Sequence, residues 1–178
     1  MTWTVSLGST ATGTTARTPQ PSSASSVTRS TGVTEIVCDA SVVLKWALSE
    51  GESEVAEARA LRTAAASGRL EIAVLDLTYY EVANILIRSR TWSSADVTRA
   101  LELFERLCGP GVPLTARSRG RATNLASAHG LTFYDAAYWA VAAELGATLV
   151  TADRELLDAG AGESPTAAAA RLGLELES

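Results

Sequence analysis

Hydrophobic and polar positions along this chain switch repeatedly between a strand-like and a helix-like period. Ile36-Val37-Cys38, bounded by Glu35 and Asp39, is a short continuous apolar run of the kind a buried strand makes. Similar runs cover residues 70–75 and 147–151, with shorter ones at 112–114 and 174–176. Between them the apolar residues recur at three- and four-residue intervals. Ser41 is placed to cap a helix over 42–48, and a helix over 53–66 gathers Val55, Ala58, Leu61 and Ala65 on one face before Gly68. A helix over 78–90 carries Val82, Ile85 and Leu86, and the one opened by Ser93-Ser94-Ala95-Asp96 places Val97, Leu101, Phe104 and Cys108 at helical spacing. Gly109-Pro110-Gly111 interrupts the chain. Helices are then expected over 115–129 (closed by Gly130), 132–145 (closed by Gly146), 153–157 and 166–172. Strands separated by helices predict an α/β fold, a three-layer α/β/α sandwich with a central, mainly parallel sheet of four to five strands.

The first 34 residues do not share this pattern. Seventeen of them are Ser or Thr, the only charges are Arg17 and Arg29, and Pro19 and Pro21 interrupt any helix. Residues 1–34 are therefore expected to be a disordered tail, or to precede the true translation start, with 35–178 as the folded domain. A targeting segment is a further alternative, but it would lack an apolar core and helical periodicity.

Composition narrows the chemistry. The chain has 178 residues and a net charge of −5; residues 35–178 keep 13 basic against 20 acidic side chains, a net −7. Bulk-charge nucleic-acid binding is thereby disfavoured. No apolar stretch reaches the length of a membrane helix, so no membrane association is expected. A single histidine, His129, argues against a Ser-His-Asp hydrolase or a multi-histidine metal centre, and Cys38 and Cys108 form no CxxC pair. Cys38 reads as a buried strand thiol, Cys108 as a small core residue, His129 as a helix-end residue favoured by the dipole, and Trp46, Trp92 and Trp139 as core or interface anchors.

What remains is carboxylate chemistry. Ligands in such sheets bind beyond the carboxyl ends of the strands, and four acids fall there: Asp39 after the first strand, Asp153 after the last regular one, and Glu81 and Asp135 in the early turns of helices. Converging carboxylates repel one another unless a cation lies between them, and all-oxygen ligation suits Mg²⁺ or Mn²⁺. Such a site suits phosphodiester hydrolysis. Each acid also has an ordinary role open to it: Asp39 and Asp153 as helix caps, Asp135 in a capping box with Thr132, Glu81 as a solvated helix residue. Thr151 is placed to orient a carboxylate or a water, or is simply a strand-end threonine. Arg117 and Arg121, four residues apart, form either a phosphate contact or a solvated face.

The motifs carrying these acids resemble a known family. Val37-Cys38-Asp39-Ala40-Ser41-Val42-Val43, Leu77-Thr78-Tyr79-Tyr80-Glu81-Val82-Ala83-Asn84-Ile85-Leu86, Leu131-Thr132-Phe133-Tyr134-Asp135-Ala136-Ala137-Tyr138-Trp139-Ala140-Val141-Ala142 and Leu149-Val150-Thr151-Ala152-Asp153-Arg154-Glu155-Leu156 are similar, in order and spacing, to the four motifs of PIN-domain ribonucleases. The short domain looks most like the VapC toxins of bacterial toxin–antitoxin pairs. Two departures are the N-terminal tail and the lack of a proline ahead of the Glu81 helix. The resemblance implies an Mg²⁺-dependent endoribonuclease, with Mn²⁺ able to substitute. Asp39 and Asp135 would be its principal metal ligands, Glu81 and Asp153 would complete the catalytic cluster, and Thr151 would assist. Asn84 would hold a carboxylate or touch RNA. It also implies a cytoplasmic protein with an RNA substrate, a cognate antitoxin and a homodimeric state. An RNA-processing nuclease without an antitoxin and an inert interaction protein on the same scaffold are the alternatives. Other classes lack their signatures: a haloacid-dehalogenase phosphatase needs an Asp where Ser41 stands, a receiver domain needs a lysine near the last strand whereas Lys45 is the only lysine, and no P-loop is present.

Overall fold

The computed structural model describes residues 34–89 and 91–176. The tail expected over residues 1–34 therefore lies outside the described residues, except for Thr34. β1 (Thr34–Cys38) is followed by α1 (Ala40–Leu44), α2 (Val55–Ala66), β2 (Leu70–Ala73), α3 (Asp76–Arg88) and α4 (Ser94–Cys108). The remaining elements are α5 (Ala116–His129), α6 (Phe133–Leu145), β3 (Thr148–Val150), α7 (Arg154–Asp158) and α8 (Pro165–Arg171). The strands form a parallel sheet in the order β2-β1-β3, with Ile36 opposite Ile72 on one side and Thr148 on the other.

The two-residue period of β1 divides the core. Ile36 and Cys38 point to one face, into a cluster with Val42, Leu61, Val82, Leu86 and Phe104 of α1 to α4. Val37 points to the other, joining Leu75, Ala122, Ala136, Val141, Leu149 and Leu156. All three β1 residues are inaccessible to solvent. Helices therefore cover both faces, as a parallel sheet requires, and the three-layer arrangement stands. Trp46 is buried as expected; its indole N–H donates to Ala58 O at 2.9 Å and its ring meets Phe104 edge-on at 5.7 Å.

The sheet has three strands, not four or five. The strand expected at 112–114 is one bridge between Val112 and Leu75: Val112 N–H donates to Val74 O and its carbonyl accepts from Asp76 N–H, and at Asp76 the partner segment turns into α3, leaving nothing for the ladder to extend along. At the opposite edge Glu163 makes a single bridge to Val150. The strand expected at 174–176 does not form: Leu174 N–H turns back to Ala169 O at 3.0 Å, and Gly173 (φ 62°) ends α8. Two glycines permit these edge contacts. A Cβ on Gly111 would stand 2.3 Å from Asp76 Cα, and one on Gly162 would stand 2.3 Å from Leu149 O.

Gly111→Ala should consequently displace the first turn of α3, the helix carrying Glu81. Chemical denaturation is expected to show a loss of about 1–3 kcal/mol, the range for a forced contact in a packed interior.

Candidate active site

Asp39 leaves β1 at its carboxyl end and caps α1. Its Oδ1 accepts from Ser41 Oγ at 2.6 Å and Val42 N–H at 3.2 Å, and its Oδ2 accepts from Thr151 Oγ1 at 2.6 Å. Only 4% of the residue is exposed. Burial pushes the carboxyl up to about 6, against the pull of these three donors, and Asp153 pushes it further in the same direction. Ser41, expected as the helix cap, instead stands inside α1 and ties it to the exit of β3: its Oγ also accepts from Ala152 N–H at 2.8 Å. Thr151 is fully buried, and its Oγ1 accepts from Asp153 N–H at 2.9 Å while donating to Asp39.

Asp153 and Asp135 are held by donors of their own helix starts, and Glu81 by a hydroxyl from another helix. Asp153 caps α7, with Oδ1 accepting from Glu155 N–H at 2.8 Å and Leu156 N–H at 3.1 Å. Asp135 lies in the first turn of α6, where Thr132 Oγ1 accepts from its N–H at 3.2 Å and donates to its Oδ2 at 2.5 Å. This side-chain exchange replaces the expected bond from Asp135 back to the Thr132 backbone. Glu81, half-buried on α3, accepts from the Tyr138 hydroxyl at 2.6 Å. Tyr138 is 2% exposed, its oxygen lying 3.0 Å from Thr78 Oγ1, so α3 and α6 are joined directly beneath the acid. Burial raises the Glu81 carboxyl, the Tyr138 bond opposes this, and Asp135 adds to the rise. Burial, then Glu81, also pushes the Tyr138 phenol well above its usual value, which keeps it a donor.

Asp39, Glu81, Asp135 and Asp153 line one cavity of about 360 Å³, together with Ser41, Tyr138 and the exposed Asn84. Its walls come from α1, α3 and the start of α6, with Leu44 and Ile85 among the lining residues. No lysine, arginine or histidine lines it. The four expected acids thus share one site. However, among the described residues no three His, Cys, Asp or Glu side chains converge as a ready-made cation site. The donor set nevertheless suits a hard divalent cation: it offers only oxygens, and no positive side chain competes for the space. Sequence reasoning missed Ser41 and Tyr138 as supports. The available signals were their spacings, two residues after Asp39 and three after Asp135.

A three-layer parallel sandwich with a buried aspartate at the exit of its central strand, and three more acids around the same cavity, defines an acid-cluster α/β protein. The chain belongs to the PIN domain family, whose model matches residues 36–162. It is 35% identical over 128 residues to Ribonuclease VapC3 of Pyrobaculum aerophilum, covering 70% of this chain and 93% of that protein. It is 36% identical over 89 residues to Exonuclease VapC9 of the same organism, covering 50% and 67% of the two chains. The crystal structure of PAE2754 from Pyrobaculum aerophilum is similar at a TM-score of 0.56 and 28% identity, covering 79% of this chain and 98% of that one. That of FitAcB from Neisseria gonorrhoeae shares the fold, at a TM-score of 0.50 and 16% identity over 74% of this chain and 98% of that one. PIN-domain nucleases in general depend on a divalent metal.

The buried Asp39 makes stability depend on pH in a defined sense. Unfolded, its carboxyl releases its proton at about pH 4; folded, it does so at about 6. Between those values the folded chain holds the extra proton, so this group's contribution falls as pH rises from about 4 to 6. In EDTA, urea unfolding should show Asp39→Asn gaining on the wild type across that window, by up to about 3 kcal/mol. A difference that stays flat with pH would contradict it.

Proposed function

We propose that this protein is a metal-dependent endoribonuclease that hydrolyses RNA phosphodiester bonds and acts as the toxin of a VapBC-type toxin–antitoxin pair. The observation that carries the reading is the cavity lined by Asp39, Glu81, Asp135 and Asp153 at the carboxyl edge of the sheet. The names of two relatives, a ribonuclease and an exonuclease, support nuclease chemistry. In this reading Asp39 and Asp135 are the principal Mg²⁺ ligands, Glu81 and Asp153 complete the set, and Mn²⁺ substitutes. When bound, such an ion polarises the phosphate and lowers the pKa of water. The protein's own contribution is placement. Ser41, Thr151 and the α1 backbone hold Asp39 by three donors, and Tyr138 holds Glu81. In this reading Asn84, which lines the same cavity, holds a carboxylate or touches the RNA.

The same charges suggest how the enzyme is silenced. Carboxylates in a cleft focus a negative potential, and one arginine binds two carboxylate oxygens at once. An antitoxin segment that inserts such a side chain between α1 and α3 masks the site. The apolar side of that segment packs across the groove between α1 and α3, where Leu44 and Ile85 line the cavity. The protein acts as a homodimer in the cytoplasm, where its RNA is; among the described residues no helix is long and apolar enough to cross a membrane.

Cleavage of a circular RNA, which has no ends, separates endonuclease from exonuclease. EDTA should abolish cleavage and Mg²⁺ or Mn²⁺ restore it. Asp39→Asn, Glu81→Gln, Asp135→Asn and Asp153→Asn should each reduce the rate by about a hundredfold, several kcal/mol of lost ion stabilisation. Tyr138→Phe, which removes only a support, should cost about tenfold. Full activity in EDTA would refute the reading.

Expression of the wild-type chain alone should arrest growth, Asp39→Asn should not, and co-expression of the small protein encoded beside it should restore growth. Cleavage without growth arrest would leave a nuclease but remove the toxin role.

A further inference from the structure

Building on the ribonuclease reading, the charge of the acidic cavity sets what can grip the RNA strand beside it. Residues 35–178 carry a net charge of −7, and the four carboxylates share their cavity with no lysine, arginine or histidine. A divalent cation offsets that charge at one point only. The flanking phosphates of a strand still meet an acidic wall, so the neutral part of the nucleotide, its base, is what this mouth can hold.

One aromatic side chain stands at the mouth. Tyr134 is the second residue of α6, directly before Asp135. Residues four and then three positions further along a helix share one face, so Tyr134 heads a row that continues through Tyr138 and Val141. Those two are each 2% exposed, whereas Tyr134 is 59% exposed. The row is thus buried in its middle and open at its first member. It also runs past the acids: Tyr138 lines the cavity and donates to Glu81 at 2.6 Å, and Asp135, the residue after Tyr134, lines it too. Cβ atoms four residues apart on a helix lie about 5–6 Å from each other. Side chains lean toward the helix N-terminus, which carries the Tyr134 ring outward from Tyr138, past the start of α6 and toward solvent.

A single exposed tyrosine is ordinary on a protein surface. This one combines an open ring with a place in a buried row and two cavity-lining neighbours on its own helix. Phe133, also exposed at 41%, is the contrast: it heads a different row with Ala137 and Ala140, neither of which lines the cavity. An aromatic ring at the mouth adds affinity without adding charge. It serves any base, because every base has a π-face, and it leaves the carboxylate oxygens free for a cation.

We propose that Tyr134 is a base-stacking residue, holding the base of a nucleotide next to the scissile phosphate against its ring at the mouth of the Asp39–Asp135 cavity. The test measures binding of a fluorescent single-stranded RNA to the Asp39→Asn protein, which cannot consume it, in Mg²⁺ across a salt series. Tyr134→Ala should weaken binding by about tenfold, and Tyr134→Leu, which keeps apolar bulk but has no π-face, nearly as much. Tyr134→Phe should bind within about twofold of its parent, since the ring remains. No charge is removed, so the log–log salt slope should stay the same in all three. In the otherwise wild-type enzyme Tyr134→Ala should raise KM and keep kcat, and Phe133→Ala should change neither. Full RNA affinity in Tyr134→Ala overturns the stacking role, as does a loss in Tyr134→Phe or in Phe133→Ala equal to that in Tyr134→Ala. A Tyr134→Ala protein that keeps its RNA affinity but no longer self-associates assigns the ring to a protein interface and overturns it equally. Wild-type cleavage of RNA, measured in parallel, tests the ribonuclease reading separately: if it occurs while Tyr134→Ala binds RNA fully, only the stacking role falls.

Discussion

The structure depends on keeping one carboxylate, that of Asp39, buried at the end of the central strand. Removing an ionised group from water costs several kcal/mol unless donors replace the lost hydration. Here the donors are Val42 N–H, Ser41 and Thr151, which belong to α1 and to the exit of β3. Ser41 and Thr151 each accept a second bond from the 152–153 backbone, so the acid, the first helix and the sheet edge form one network. The carboxyl is still raised to about 6, which shows that neutral donors compensate burial only in part. A cation would supply the remainder.

The rest of the fold places three further acids around that point. The alternating residues of β1 anchor two helical layers, α3 in one and α6 in the other. The Thr78–Tyr138–Glu81 chain of hydrogen bonds then links those layers beneath the cavity. Glu81 and Asp135 come from helices on opposite sides of the sheet, so their meeting depends on both layers packing to a defined depth. The close approaches of Gly111 and Gly162 serve the same end by letting the sheet edges close without added strands.

Helix capping and active-site chemistry are not competing explanations here. Asp39 and Asp153 do cap helices, and Asp135 does exchange bonds with Thr132. A cap holds a short acidic side chain in one rotamer at a helix start, which is where a parallel sheet opens its ligand crevice.

The local periods in the chain were enough to place the helices and the central strand, to separate the two faces of β1, and to put four acids at the exits of the elements. Those features depend on residues within a turn or two of each other, and nearest-neighbour patterning records them. The edge of the sheet was not legible in the same way, because residues 112–114 and 174–176 have apolar strand-like patterns. Whether such a segment pairs depends on a distant partner, which for residues 112–114 turns into a helix at Asp76. Ser41 and Tyr138 were likewise hidden. Ser41 acts on a backbone 111 residues away and Tyr138 on an acid 57 residues away. The sequence by itself determined which acids stand at the crevice. Only the tertiary structure decided which hydroxyls hold them and how far apart they rest, because a hydrogen bond between layers exists only once both layers have packed.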